Sequence, residues 1–155
     1  VITQIEGGIK LEVKRINATD TYVIRQQMLR QNRPFEACIF PGDDDENTFH
    51  LGAFHAGKLV SVASFYYEKH PHLEPLHQFR LRGMATIPDF QRTGRSSALL
   101  KMAFPIIKQN FCHLLWCNAR EQALGFYEKV GFQKIGSLFQ IPDVGPHYLM
   151  FKDIL

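Results

Sequence analysis

A strand, a glycine-containing loop and a long helix follow one another along the chain, and this succession restricts the fold more than any other feature. Residues 79–87 predict the strand and residues 95–110 the helix, which has an apolar stripe formed by Leu99, Met102, Ala103 and Ile106. Pro105 should kink this helix or end its regular part. A further apolar run at residues 111–117 predicts another strand directly after it.

The rest of the chain continues this alternation of strands and helices. Strands are predicted at residues 9–16, 48–55, 58–67, 132–139 and 147–152, and helices at residues 19–30 and 121–130. Ala56 and Gly57 mark a hairpin, and Gly131 suits the position just past a helix end. The pattern predicts an α/β or α+β layered domain, and a length of 155 residues favours a single domain over residues 1–155.

Composition and charge exclude several classes of protein. Apolar residues make up 45% and charged residues 21%, which is typical of a soluble globular protein. A net charge of only +3, with dispersed charges, argues against nucleic-acid binding. No apolar run approaches a membrane span and no signal peptide is visible, so a cytoplasmic protein is expected, although a start at Val1 leaves a short processed leader open. Cys38, Cys112 and Cys117 show no metal-ligand spacing and are expected to be buried free thiols.

Two charged or titratable segments allow alternative interpretations. The acidic run at residues 43–46 is expected to be a solvated loop, with a site that attracts a substrate amine as the alternative. His70, His72 and His77 could suggest a metal site, but no cysteine or carboxylate stands at a standard spacing, so exposed loop histidines are favoured and no metal is expected.

The stretch QRTGRSS, residues 91–97, raises the possibility of an anion site. Gly94 lets the backbone turn tightly, and Ser96 and Ser97 would lie in the first turn of a helix, where free N–H groups favour phosphate. The alternative is an ordinary turn with solvated basic residues. The stretch is neither a Walker loop nor a GxGxxG fingerprint.

The run LRGMATIPDFQRTGRSSALL resembles the acetyl-CoA-binding motif of the GNAT superfamily of N-acetyltransferases, which is a strand, then Gln/Arg-x-x-Gly-x-Gly/Ala, then a helix. Gln91 and Gly94 match this motif, and Ser96 departs from it at a position where the family mostly has Gly or Ala. Downstream, NAREQALGFYEKVGF is similar to the C-terminal half-motif of the family, with an Asn after the fifth strand and a Phe-Tyr pair on the next helix. The resemblance covers roughly residues 9–155 and implies a GNAT-type acyl-CoA N-acyltransferase fold, with a central, mostly antiparallel mixed sheet flanked by helices.

This resemblance also implies which residues hold acetyl-CoA. The backbone of Met84, Ala85 and Thr86 should pair with the pantetheine arm, almost as an extra strand. Asn118 should contact the cofactor as well. The pyrophosphate should be held by the loop whose members are Gln91, Arg92, Thr93, Gly94, Arg95 and Ser96.

The reaction implied by the family is acetyl transfer from acetyl-CoA to a primary amine. Tyr127 should stand near the thioester sulfur as general acid, with a packing aromatic as the alternative. The N–H that follows Met84 is the expected oxyanion donor. His147 is one candidate for the general base, or else a strand residue that shapes the acceptor pocket. Glu68, Glu74 and His77 are weaker candidates, and a water chain could serve instead.

The acceptor is the least constrained part of the prediction. Arg30, the acidic run and the loop before Phe79 are expected to line its side of the site. A small-molecule amine and a protein amine both remain open, as does a homodimer. The competing hypothesis is a non-catalytic acyl-CoA-binding or interaction module with the same fold, and the presence of Tyr127 favours the enzyme.

Overall fold

The computed structural model describes residues 1–154. Within this range the chain forms eight strands and three α-helices, joined by short 3₁₀ turns and loops. The elements are β1 (Ile2–Glu6), β2 (Ile9–Ile16), α1 (Ala18–Leu29), β3 (Phe49–His55), β4 (Lys58–Tyr67), β5 (Gln78–Thr86), α2 (Arg95–Gln109), β6 (Leu114–Arg120), α3 (Leu124–Lys129), β7 (Gln133–Ile141) and β8 (Gly145–Asp153). The helix α2 continues through Pro105.

The strands form one mixed sheet in the order β1-β2-β3-β4-β5-β6-β8-β7. The pairs β1–β2, β2–β3, β3–β4, β6–β8 and β7–β8 are antiparallel, whereas β5 and β6 are parallel. Parallel neighbours need a crossover connection, and α2 supplies it. The predicted fold class, a mostly antiparallel mixed sheet with helices, is therefore confirmed.

Contacts divide the chain into two compact units, which we describe separately. The first unit comprises residues 1–66 and 82–106, and the second comprises residues 67–81 and 107–154. The single domain expected from chain length remains a prediction. None of the helices formed by residues 1–154 has both the length and the apolar character needed to cross a bilayer.

The core of the first unit forms where α1 packs on the sheet. Ile24 of α1 is buried against Val60 and Val62 of β4 and against Ala85 near the end of β5. Each such fully buried aliphatic side chain contributes about 1.5–3 kcal/mol. The helix begins after Asn17, whose backbone N–H donates to Asp20 Oδ2 at 2.9 Å, so α1 starts one residue before the predicted residue 19.

The strand β1 was not expected from the sequence. It is joined to β2 by Gly7 and Gly8, which both have positive φ angles, 54° and 80°, and Glu6 pairs with Ile9. Two consecutive left-handed residues are what a tight hairpin turn requires. All five residues of β1 are exposed, so the strand has no buried face that could produce an alternating pattern.

The second unit contains a smaller core on one face of β6 and β8. Leu114 and Trp116 of β6 pack with Leu149 and with Leu73 from the loop before β5. The prediction that this strand spans residues 111–117 was wrong at both ends. Phe111 is 83% exposed with a φ of 59°, because residues 110–112 close the C-terminal turn of α2. Asn118 consequently lies within the strand rather than after it.

Candidate active site

The loop between β5 and α2 lies in the first unit and is exposed from Gln91 to Gly94. Its backbone turns through two left-handed residues, Arg92 with φ 61° and Gly94 with φ 81°. The loop is tied back to the sheet because Gln91 Nε2 donates to the carbonyl of Thr86 at 3.0 Å. The hydroxyl of Thr93 donates to the carbonyl of Phe90. The loop is thus an ordered turn, although its residues are solvated.

The first turn of α2 presents backbone donors at this loop. The N–H of Ala98 donates to the carbonyl of Gly94 at 3.0 Å, so Gly94 is the N-cap residue and the helix begins at Arg95. The N–H groups of Arg95, Ser96 and Ser97 therefore have no acceptor within the helix. A Cβ placed on Gly94 would meet no atom within 4 Å, so the space in front of the loop is open. Open space, free amides and the positive end of a 15-residue helix fit a diphosphate.

Ser96 occupies the position at which the family motif has Gly or Ala. Its Oγ lies 3.2 Å from Thr86 Oγ1, which in turn lies 2.7 Å from Ser61 Oγ on β4. These three hydroxyls form a hydrogen-bonded chain from the helix start to the sheet. The hydroxyl of Ser96 is thus engaged by β5, whereas its backbone N–H remains available at the helix terminus.

The strand segment predicted to pair with pantetheine precedes this loop. Ala85 and Thr86 are each 8% exposed, whereas Met84 is half-buried. The preceding Gly83 has φ 64°, and a Cβ there would lie 3.0 Å from the ring of Phe40. Glycine is required at this position both by the left-handed backbone and by the close approach of that ring.

The acidic run differs from its interpretation as a solvated loop. Asp43 is 5% exposed, and its carboxylate accepts bonds from both terminal nitrogens of Arg25 at 2.7 and 3.0 Å. It also accepts from Tyr66 Oη at 2.6 Å and from the N–H of Phe40 at 2.9 Å. Asp44 is exposed, as predicted for the whole run. Nothing in the run itself indicates that its first aspartate is the partner of a fully buried arginine.

The pKa values of three members of this buried network differ from their ordinary values. Burial raises the pKa of Asp43, but the hydrogen bonds from Arg25, Tyr66 and Phe40 outweigh it and hold that pKa below its usual value. Burial, and then the bond to Asp43, raises the pKa of Tyr66. His50, which lies 2.6 Å from Ser64 Oγ through Nδ1, has a pKa lowered by burial.

Three arginines make cation–π contacts with the ring of Phe40, on the side where the acceptor is predicted to bind. The guanidinium carbon of Arg25 lies 4.0 Å from the ring centroid, that of Arg82 lies at 4.7 Å and that of Arg30 at 5.0 Å. Arg30 was the residue expected to line this side. A separate surface pocket of about 430 Å³ lies beside the acidic run, and its lining includes Asp44.

In the second unit, Tyr127 is buried on the short helix α3. It is 8% exposed, and its ring stands edge-on to Phe126 and Phe132, with both centroids at 5.2 Å. Its hydroxyl lies beside the thiol of Cys117 on β6. Burial, and then the adjacent thiol, raises the pKa of Tyr127 well above its ordinary value, so the phenol is protonated at neutral pH.

Asn118 on β6 and His147 on β8 lie on the same face of the sheet, opposite to the face on which Cys117 lies. Asn118 pairs with Leu149, and Arg120 pairs with His147, so the two site candidates are diagonal neighbours on that face. His147 is 4% exposed, and its Nδ1 lies 2.8 Å from the carbonyl of Gly145. A carbonyl only accepts, so Nδ1 carries the proton of the neutral ring and Nε2 carries the lone pair. Tyr127 contacts Cys117, which alternation along the strand places on the other face.

Two of the three remaining titratable candidates of the second unit already have partners. Glu68 forms an ion pair with Arg80 at 3.1 Å, and His77 Nδ1 lies 2.5 Å from the hydroxyl of Tyr67. Glu74 is exposed. Across residues 1–154, no three His, Cys, Asp or Glu side chains come together in a group that could hold a metal ion.

The architecture matches solved structures of N-acyltransferases despite low sequence identity. An aminoglycoside 6′-N-acetyltransferase complexed with coenzyme A superposes with a TM-score of 0.74, at 9% identity, over 93% of this chain and 97% of that one. The ribosomal-protein-S18-alanine N-acetyltransferase from Escherichia coli gives a TM-score of 0.69, at 20% identity, over 93% and 94%. The fold is therefore that of the acyl-CoA N-acyltransferases.

Sequence comparison narrows this class to a family. Residues 23–142 match the model of the acetyltransferase (GNAT) domain. The chain is also 40% identical over 144 residues to the uncharacterized N-acetyltransferase YitI of Bacillus subtilis strain 168, covering 93% of this chain and 97% of that protein. The chain belongs to the GNAT family of N-acetyltransferases, as the two sequence motifs predicted.

Proposed function

We propose that the protein transfers an acetyl group from acetyl-CoA to a primary amine, by direct attack of the amine nitrogen on the thioester carbon. The observation that carries this proposal is the loop of residues 91–96 at the N-terminus of α2, which is exposed from Gln91 to Gly94 and whose three first-turn amides have no acceptor within the helix. A diphosphate needs such an arrangement of donors, and Arg92 and Arg95 add positive charge beside them.

Acetyl-CoA is proposed to bind through the loop, strand segment and asparagine predicted from the sequence motifs. The amides of the loop take the pyrophosphate, and the backbone of Met84, Ala85 and Thr86 pairs with the pantetheine arm. Asn118 contributes a further contact. When bound, acetyl-CoA supplies the acetyl group already activated as a thioester.

Tyr127 is the proposed proton donor to the departing sulfur. Its hydroxyl is protonated at the pH of the reaction, as a general acid requires, and burial raises its pKa, which makes it a weaker acid in the unliganded site. In this mechanism the hydroxyl exchanges its present neighbour, the thiol of Cys117, for the sulfur that leaves. The N–H that follows Met84 is the proposed donor to the oxygen on which negative charge develops.

His147 is the proposed acceptor of the proton that the amine loses. Its Nε2 carries the lone pair because Nδ1 donates to Gly145. The reaction then balances: the N–C bond forms and the C–S bond breaks, while sulfur takes the proton of Tyr127. The amine proton passes to His147 through water, because His147 and Tyr127 lie on opposite faces of the sheet at β6. Water returns protons between the two sites after the products leave.

The reaction can be tested by release of free thiol from acetyl-CoA in the presence of a panel of amines. The expected result is CoA production that depends on the amine, with the acetylated amine detected by mass spectrometry. Binding of CoA without release of thiol for any amine would favour the non-catalytic module with the same fold. Absence of CoA binding in folded protein would overturn the proposed function as a whole.

Replacement of Tyr127 by Phe tests the general acid. The change keeps the ring between Phe126 and Phe132, so the melting temperature and the Kd for acetyl-CoA should change little. Loss of the proton donor should lower kcat on the order of 10²-fold, and the deficit should shrink at high pH. Tyr148→Phe on β8 is the matched control and should retain kcat. An unchanged kcat in Tyr127→Phe would return this residue to a packing role.

A further inference from the structure

His55 lies at the end of β3, 40 residues before Arg95, and belongs to neither sequence motif. Its Nδ1 lies 3.1 Å from Nη2 of Arg95, the first residue of α2. Its ring also packs against Phe90, with the centroids 4.7 Å apart. All three residues belong to the first unit. The histidine therefore contacts the loop from a strand that sequence analysis did not connect with it.

The contact indicates the tautomer of the His55 ring and holds the Arg95 guanidinium in place. A guanidinium only donates, so Nδ1 of His55 is the acceptor and the neutral ring carries its proton on Nε2. The other terminal nitrogen of Arg95 donates to the carbonyl of Thr93 at 3.3 Å. The guanidinium is thus held at both ends, and each terminal nitrogen keeps a second N–H.

The guanidinium also carries a donor that the protein does not satisfy. Arg95 Nε is buried, and within residues 1–154 it has no hydrogen-bond partner. Within the same range, Arg25 and Arg80 also have a buried Nε without a partner, so the orphan alone does not indicate a ligand. At the start of α2, however, it leaves a donor that the described residues do not use beside amides that also lack an acceptor within the helix. Arg95 is thus an ordered but incompletely bonded cation at the start of α2.

We propose that His55 is a positioning residue for the acyl-CoA diphosphate. It accepts a hydrogen bond from Arg95 and thereby orders the guanidinium beside the first-turn amides before the ligand arrives. This inference rests on the proposed function, because it assigns the diphosphate of the co-substrate to the loop of residues 91–96. The expected gain is modest, since ordering a single long side chain in advance is worth about threefold to tenfold in affinity.

Two substitutions at this position separate the acceptor atom from the ring. His55→Asn keeps an acceptor near the position of Nδ1, and His55→Phe keeps the ring on Phe90 but removes the acceptor. Calorimetry with CoA should show about threefold to tenfold weaker binding for His55→Phe and near wild-type binding for His55→Asn. Steady-state kinetics should show the same pattern as a raised KM for acetyl-CoA with kcat retained. His72→Phe, at an exposed loop histidine of the second unit, should bind as wild type does.

A double-mutant cycle with Arg95→Met tests whether His55 acts through the arginine. In the Arg95→Met background, His55→Phe should cause no further loss of affinity, because the guanidinium it positions is gone. Equal losses in both backgrounds would overturn the proposal, as would wild-type affinity in His55→Phe. If Phe at this position lowers the melting temperature strongly, His55→Ala removes the same acceptor, and the cycle cancels the shared structural cost. Failure of wild-type protein to bind CoA would instead refute the proposed function.

Discussion

Two charged loops of the first unit, one acidic and one basic, could each be an ordinary solvated loop as far as the sequence shows. In the structure they differ fundamentally. The acidic run begins with Asp43, whose carboxylate accepts four hydrogen bonds and is shielded from solvent. The basic loop around Gly94 is exposed and leaves backbone donors without acceptors in the helix. The first loop is saturated by its own protein, so its charge stabilises the fold. The second is unsaturated, so its charge is available to a ligand.

Removal of Arg25 should have the largest effect and should appear in stability. Arg25→Met leaves the carboxylate of Asp43 buried without its counter-charge, which costs about 3–5 kcal/mol of unfolding free energy. Urea denaturation measures this loss. The double variant Arg25→Met/Asp43→Asn should recover part of it, because no unpaired charge remains. A double variant no more stable than the single one would show that the hydrogen bonds to Cys38 and Ser64 matter more than the ion pair.

Replacement of Gly94 by Val should act mainly on ligand binding. The residue has φ 81°, so a side chain introduces strain of about 1–2 kcal/mol. A β-branched group in front of the amides should also weaken CoA binding by about tenfold or more, since each bond from an N–H to a charged oxygen is worth ~1.5–3 kcal/mol. Calorimetry and thermal melting report the two effects separately.

The control for this substitution is Gly136→Val. Gly136 has φ 78° and no atom within 4 Å of an added Cβ, so the backbone strain is matched in the second unit. It should lose similar stability and keep CoA affinity. Equal CoA affinity in both variants would make Gly94 an ordinary turn glycine and would remove the distinction between the two loops.

Acid should affect the saturated loop in two stages. His50 has a pKa lowered by burial, so stability should begin to fall as pH drops below the unfolded value of about 6.5. Asp43 has a lowered pKa as well, so its contribution is complete above about pH 4 and is lost as pH falls further towards the folded pKa. Urea unfolding of wild type and Asp43→Asn across a pH series separates them. An identical loss below pH 4 in both proteins would contradict this assignment.

The smallest effect is expected at Ser96. Ser96→Gly restores the residue type of the family motif but breaks the hydroxyl chain to Thr86 and Ser61. Because a neutral hydrogen bond is worth about 0.5–1.5 kcal/mol, CoA binding should weaken by roughly twofold to tenfold. Ser96→Thr retains a hydroxyl and is the comparison. Tighter binding by Ser96→Gly would mean that the serine side chain hinders the diphosphate.

The succession of elements and the family could be predicted from the sequence because they depend on local signals. The Gly57 hairpin, the start of α2 at Arg95 and the Gly131 helix end are each encoded by one or two residues. The strand β1 was missed although Gly7 and Gly8 mark its turn. All five of its residues are exposed, so it has no buried face and shows no alternation of apolar and polar residues. Phe111 misled the strand assignment, since an apolar residue here closes a helix on the surface.

The polar contacts of the candidate site could not be predicted because they join residues distant in sequence. Arg25 and Asp43 are 18 positions apart, and His55 and Arg95 are 40 apart. Nothing in the local sequence of either partner specifies which strand will bring the other one near. The motifs point to the loop around Gly94 through residues that are local in sequence, whereas the side chains that order this loop depend on the packing of β3 and β4.

The three buried cysteines make the folded protein almost invisible to thiol-specific reagents. Cys38 is 0% exposed, Cys112 4% and Cys117 2%, and burial raises the pKa of all three thiols, that of Cys117 to about 12. Alkylation requires an exposed thiolate, so the native state should react only when it opens. A colorimetric reading of liberated CoA therefore carries little background from the enzyme itself. The labelling rate of each cysteine therefore measures how often the surrounding structure opens. Cys38 reports on the first unit and Cys117 on the second.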